Sequence, residues 1–378
     1  GAHIYPGFID GWFEVKKDEK TISPDDHWNK KIKADYRAKN DLKIKEKDLK
    51  ALRSLGLTAV HIVPEEGIFK GKSDLVILDD DFTSYKKDVA QIIEFKATGW
   101  SDRSYPNSLL GVIAVIRQTL LDANWYQKST QIIEKYPEQN TLIPFHPSLS
   151  QLADFQLNRK PMLFMTKEEH GALRALRIAD EFNLAPWLLG SGYEYRRLNK
   201  IVELNPFIVF PLEFPAKPKV KDPHIALQYS TEQLKHWDMA PDNIHKVFEK
   251  GIRFSFTSAT LKNKKEFRKN LQKIIDRGLP KSVALSALTT YPAEAMGIEK
   301  TMGKIQPGYL ANLVITDGDY FDTKSRVTSL WMNGQEYYVA NRHKTVIKGN
   351  WELEISGKLY ELSFKTSQNK KDDKKVNA

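Results

Sequence analysis

Carboxylates and a lysine at the ends of apolar runs are the residues of this chain that could do chemistry. Glu14, Glu65, Glu66, Lys167, Glu194 and Glu213 lie at or just past stretches with strand character. Paired carboxylates held in different surroundings can divide the acid and base roles of a reaction between them. The same groups can instead form salt links with one another and with Arg196 or Arg197, because spacing along a chain fixes no distance between them. Trp12, Thr166, Tyr193 and Ser258 stand at further strand ends. They complete the set expected to line one pocket.

Other chemistries find less support. The chain has no cysteine, which excludes disulfides, thiolate nucleophiles and Cys-ligated zinc together. Its nine histidines are scattered, with no His-x-His or His-x-x-x-His pair. His61 sits inside an apolar run and is expected as a satisfied barrel residue, His170 beside Glu168 and Glu169 as a helix-capping residue, and His146 as a packed loop residue. Ser191 in Gly-Ser-Gly resembles a nucleophile turn only slightly, since G-x-S-x-G is absent. The glycine segments 190–192 and 67–72 match neither the Walker nor the dinucleotide spacing, so they are expected to make tight turns.

The elements that must position these residues follow from pattern. Residues 58–64, TAVHIVP, form a near-continuous apolar run, as in a parallel strand covered on both faces. Residues 74–78 and 89–95 are further strand candidates. Tyr105–Gln127 reads as a long helix with Leu109, Ile113, Ile116, Leu120 and Leu121 on its core-facing stripe. From Pro161 strand and helix alternate regularly, which argues for a parallel barrel or a doubly wound sheet. The 378 residues suffice for one such barrel of roughly 250 residues with an appendage. The net charge of +10 lies partly in Lys-rich termini and comes without a nucleic-acid-binding signature. No apolar run reaches the roughly 18 residues of a membrane span.

Residues 278–338 carry a series of motifs at fixed intervals. These are ALTTYPA, GKIQPG, ANLVITD and a V-x-x-x-W-x-x-G hairpin closing on Asn333-Gly334, with the helical part broken at Tyr291-Pro292. This order resembles the closing signature of the amidohydrolases. His3–Asp10, HIYPGFID, resembles the strand by which those enzymes enter their barrel, and the YPNSLLGVIAVIRQ helix, with Arg117 and Gln118, is similar to one found in a branch whose members often lack the usual metal ligands. The resemblance covers roughly residues 3–340. It implies an α/β fold: a TIM-like (β/α)8 barrel over 1–310 and a small, partial β-sandwich or meander over 311–365. Residues 366–378 read as a disordered Lys-rich linker.

The resemblance also implies zinc, held by a His-x-His pair on strand one, a Lys or Glu on strand four, single histidines on strands five and six, and an Asp on strand eight. The matching positions here are Trp12 and Glu14, then Thr166 and Lys167, then Gly192 and Tyr193, then Thr257 and Ser258. No metal or other cofactor is therefore expected. Two functions follow: a non-catalytic module that binds a small molecule or supports a catalytic partner, and a hydrolase of non-peptide carbon–nitrogen bonds with an atypical site. The expected partners are a small-molecule ligand and a second amidohydrolase-like module C-terminal to this chain, with homo-oligomerisation open and no nucleic acid. A segment upstream of Gly1 is expected too, and the compartment stays open, with an extracytoplasmic one favoured.

Overall fold

The computed structural model describes residues 2–17, 27–99, 104–139, 143–340, 349–355, 358–366 and 376–377. The chain forms two compact units, Gly1–Val339 and Ala340–Ala378. In the first unit the opening segment is two strands, not the single one expected over residues 3–10. Gly7 separates β1 (His3–Pro6) from β2 (Phe8–Val15), because a Cβ at Gly7 would come within 2.2 Å of Thr58 Oγ1. Then come α1 (Glu46–Ser54), β3 (Leu57–Pro64), β4 (Phe69–Lys72), β5 (Asp74–Ile77), β6 (Ser84–Lys86) and β7 (Gln91–Glu94). The 67–72 segment expected as a turn is thus largely strand β4.

The regular alternation follows with α2 (Leu109–Lys135), α3 (Pro147–Leu157), β8 (Pro161–Met165), α4 (Glu169–Glu181), β9 (Ala185–Leu189), α5 (Leu198–Ile201) and β10 (Phe207–Pro211). Next are α6 (Pro223–Ala226), α7 (Thr231–Met239), α8 (Asp242–Glu249), β11 (Phe254–Thr257), α9 (Glu266–Asp276), α10 (Lys281–Leu288) and α11 (Thr290–Ala295). The unit ends in β12 (Leu313–Thr316), β13 (Val327–Met332) and β14 (Gln335–Tyr338).

The barrel is the expected α/β one, with one strand reversed. β2 pairs in parallel with β3, and β7 through β11 run parallel in sequence order. β4 stands between β3 and β7, antiparallel to β7. β11 returns beside β2, where Thr257 Oγ1 donates to the Trp12 carbonyl at 2.8 Å. The strands are covered on both faces: Ile9, Val60, Ile92, Leu163, Leu188, Val209 and Phe256 are fully or almost fully buried. Truncating such a side chain to Ala costs about 2–5 kcal/mol. Gly11 leaves no room for growth, since a Cβ there would meet Ser255 Oγ at 2.4 Å and Val209 Cγ1 at 2.8 Å.

Sandwich strands come from both ends of this unit, in the order β1-β12-β13-β14, all antiparallel. The Asn333-Gly334 turn has φ of +51° and +81°, as a type I′ hairpin requires. Tyr320 joins sheet to barrel: its fully buried ring packs edge-on against Phe8, and its hydroxyl donates to the Leu55 carbonyl at 2.7 Å. The helical break falls at Thr289 (φ −133°, ψ −80°), not at Pro292. Pro292 lies in the first turn of α11, where its missing N–H costs nothing.

Helix α2 starts and ends later than the expected Tyr105–Gln127, at Leu109 and Lys135, with Ser108 as its cap accepting from the Gly111 amide. Its buried stripe is Val112, Val115, Ile116, Thr119, Leu120, Ala123 and Tyr126, whereas Leu109 and Leu121 are exposed. The stripe is therefore rotated from the expected one.

In the second unit β15 (Gly349–Ile355) pairs antiparallel with β16 (Lys358–Thr366), and β17 (Val376–Asn377) adds to β16. Most of the linker expected over 366–378 lies outside the described residues.

Candidate functional site

Chemistry in a parallel barrel belongs at the C-terminal ends of its strands, where loops can carry variable side chains. There β4, because it is reversed, contributes its first residues. The β4–β7 register places Phe69 opposite Ile93 and Gly71 opposite Ile92, so Lys70 is the extra residue of a β-bulge. Gly71 permits the bulge: its φ is +121°, and a Cβ would lie 2.4 Å from the Tyr36 carbonyl oxygen. The bulge turns Lys70 inward.

Lys70 is 1 % exposed, and its ammonium is held by two carboxylates. Its Nζ lies 2.8 Å from Glu94 Oε2 at the end of β7 and 3.2 Å from Glu14 Oε1 near the end of β2. Met165 Sδ, at the end of β8, is 3.1 Å away. A second lysine approaches from outside, with Lys167 Nζ 3.8 Å from Glu94 Oε1. Three strands and the bulge thus converge on one buried ammonium. A buried lysine is tolerated only when its charge is met in this way.

Further along β2, Asp10 organises the seam with β11. This buried carboxylate accepts from the Ser258 hydroxyl (2.7 Å), the Ser258 amide (3.0 Å) and the Trp12 amide (3.1 Å). Burial pushes the Asp10 carboxyl above its ordinary range, against the pull of those donors. Trp12 is 4 % exposed and belongs to the core, and Ser258 is fully buried. Thr166, also buried, donates to the Leu189 carbonyl at 2.6 Å and so ties the ends of β8 and β9 together. These three are tied into the structure by such contacts.

Glu194 lies just past the end of β9, as expected, and is buried within its own loop. Its carboxylate accepts from the Ser191 amide (2.6 Å), the Ser191 hydroxyl (2.9 Å), the Gly192 amide (3.1 Å) and Asn243 Nδ2 (2.7 Å). Ser191 thus serves this carboxylate with both its amide and its hydroxyl. Tyr193 stacks on His236 of α7, with ring centroids 3.7 Å apart, and Arg196 lies over the outer face at 4.6 Å. Glu65 is half-buried and Glu213 exposed, each beyond its strand. Glu66 pairs with Lys33 at 3.0 Å. Arg117 pairs with Glu181 on the surface.

His61 is the barrel residue expected. In its neutral form Nδ1 donates to the Gly11 carbonyl at 3.0 Å and Nε2 accepts from the Ser73 hydroxyl at 2.6 Å. Burial pushes this imidazole down to about 4, partly offset by the Gly11 bond.

The donor set can be tested against the zinc that the fold family implies. Tetrahedral zinc needs at least three N, O or S donors around one point. Trp12, Thr166 and Ser258 offer an indole, a hydroxyl bonded to a carbonyl and a hydroxyl bonded to Asp10. The two remaining carboxylates, Glu14 and Glu94, already share the Lys70 ammonium. Among the described residues no group of three or more His, Asp or Glu is placed to hold a metal. The residues do not fit zinc.

A cleft of about 440 Å³ opens between the segment 30–33 and the loops that follow β3 and β7. Lys30, Lys33 and Lys96 line it with Glu66, Gly67 and Thr98. Its walls are mainly cationic.

Lys70, Glu94 and Asp10 were absent from the sequence-based site. Glu94 closes the apolar run 89–95, which carried the signal. Lys70 lies in Gly-Ile-Phe-Lys-Gly, whose glycines mark the bulge but do not say which way the lysine turns.

Residues 224–351 match the model of the amidohydrolase family. An amidohydrolase of Thermotoga maritima MSB8 has a similar structure, with a TM-score of 0.72 at 19 % identity, covering 89 % of this chain and 87 % of that one. A stretch of 57 residues is 35 % identical to the amidohydrolase tasK of Hapsidospora irregularis. That stretch is 15 % of this chain and 6 % of the other protein.

Proposed function

We propose that this chain, a member of the amidohydrolase superfamily, is a non-catalytic module that binds a small anion at the C-terminal face of its barrel. The observation that carries the reading is the Lys70 ammonium shared by Glu14 and Glu94. A fixed cation now occupies the place where strand-end donors would converge, and it consumes the two carboxylates there that could otherwise act as acid and base. Lys70 neutralises them without offering an exchangeable coordination position for water, so no activated nucleophile is supplied. The cleft at this end has the size of a small-ligand site, and Lys30 and Lys96 favour a carboxylate or phosphate there, while Lys33 is held by Glu66.

The test is a hydrolysis screen of chromogenic amides, cyclic amides and dipeptides, with and without added zinc or manganese, beside Lys70→Ala as the background. The expected result is no turnover above that background, with small carboxylates or phosphate retained in the cleft. Turnover that is lost in Lys70→Ala would establish the alternative, an active hydrolase with an atypical site.

A further inference from the structure

A second basic feature lies on the flank of the barrel, remote in sequence from the lysine cage. A groove of about 1000 Å³ runs between α1 and α9 and reaches the loop before β13. Eight lysine and arginine side chains line it, against one acidic residue, Asp48. Such an imbalance concentrates positive potential in a concave place.

The cations divide into three kinds, and one is already neutralised: Lys50 pairs with Glu46 and Arg326 with Asp317. Arg268 and Lys264 shape the groove. Arg268 donates to the carbonyls of Tyr320, Asp322 and Ser325, and Lys264 to those of Ser258 and Ala259. By contrast, Lys47, Lys262, Lys265 and Lys269 are exposed, and no carboxylate is found within ion-pair distance of them among the described residues. Lys262 and Lys265 precede or cap α9, and Lys269 is in its first turns. Cations at a helix N-terminus oppose the helix dipole, at a cost of about 0.3–1 kcal/mol each. Glu266, in the first turn of α9, offsets them only in part. Lysines so placed favour an anion at the groove.

The floor indicates which anion. It includes Leu55, Leu261 and Ala51, and no aromatic residue lines the groove. Single-stranded nucleic acid is gripped by stacking its bases on aromatic side chains, and this groove offers none. An extended peptide with acidic and aliphatic side chains would meet both the cationic rims and the aliphatic floor. We infer that the α1–α9 groove docks an acidic, extended segment of a partner protein.

The experiment uses the whole chain and a fluorescein-labelled peptide of Glu-Glu-Leu-Gly repeats, read by fluorescence anisotropy at low salt. The triple variant Lys262→Glu, Lys265→Glu, Lys269→Glu is expected to weaken binding on the order of tenfold or more. Lys219→Glu, Lys235→Glu, Lys250→Glu makes the same charge change elsewhere on the surface and is expected to leave binding within about twofold. Equal loss in both variants would overturn the assignment, because the attraction would then be one of net charge. So would tighter binding of oligo(dT) or of phosphatidylglycerol vesicles, or no binding of the peptide by the unmodified chain. Melting curves of both variants show whether the fold is kept.

Discussion

The Lys70 ammonium lies 2.8 Å from Glu94 Oε2, a bond between a bulged, reversed strand and the end of its parallel neighbour. Because Lys70 is 1 % exposed and Glu94 only 6 %, neither charge can turn to water when the other is removed. Lys70→Met is therefore expected to destabilise the unit by about 3–5 kcal/mol in urea denaturation, because the buried Glu94 is left with only the exposed Lys167, 3.8 Å away, as a partner. The double variant Lys70→Met, Glu94→Leu is expected to recover much of that loss. A single variant as stable as the parent chain would mean that the pair does not form.

Gly71 allows the bulge that aims Lys70. Gly71→Ala must place a methyl group 2.4 Å from the Tyr36 carbonyl oxygen at a φ of +121°. The expected loss is about 1–3 kcal/mol, from strain and overpacking. The bulge account also predicts greater solvent access to Lys70, readable as faster chemical acetylation of that lysine. Unchanged stability and reactivity would refute this role for the glycine.

His61 links stability to pH. The unfolded imidazole titrates near 6.5 and the folded one near 4. Between those values the unfolded chain takes up a proton that the folded chain refuses. The stability contributed above pH about 6.5 is thus lost as the pH falls towards about 4 and falls no further below it, up to about 3 kcal/mol in all. Urea melts of the parent and of His61→Gln, taken across this window, should differ in slope, the variant being flatter. Identical slopes would show that His61 is reached by water.

Glu194 binds its loop through four donors. Glu194→Ala leaves two amides and the Asn243 side chain without their acceptor, at a cost of about 1–3 kcal/mol. Hydrogen exchange at Ser191 and Gly192 is expected to quicken, while that of the β8 strand stays slow. Protection retained at both amides would place the loop's support elsewhere.

Much of the fold was legible because its signals are local. The apolar run 58–64, the alternation after Pro161 and the Asn333-Gly334 turn each state their own structure. The reversed β4 was not, since β4 is only four residues long and its direction is set by pairing with β7, a tertiary fact. The split of the first strand depends likewise on contacts that Gly7 makes with residues some fifty positions away. For the site, strand ends pointed to Glu14 and Lys167, which lie around the Lys70–Glu94 pair, but the pattern could not distinguish a carboxylate facing a cavity from Glu194, which turns back into its own loop. Lys70 escaped notice because a lone lysine between glycines reads as a solvated turn; only the bulge makes it a buried partner.

The most direct measurement is the metal content of the purified, tag-free chain after equilibration with zinc and removal of free ion, set beside that of Lys70→Ala. With Lys70 filling the carboxylate cage, no stoichiometric zinc should remain bound to the parent chain. One equivalent of zinc bound by the parent and released on replacing Glu14 and Glu94 would contradict the account, because the ammonium and the metal cannot share the same two carboxylates.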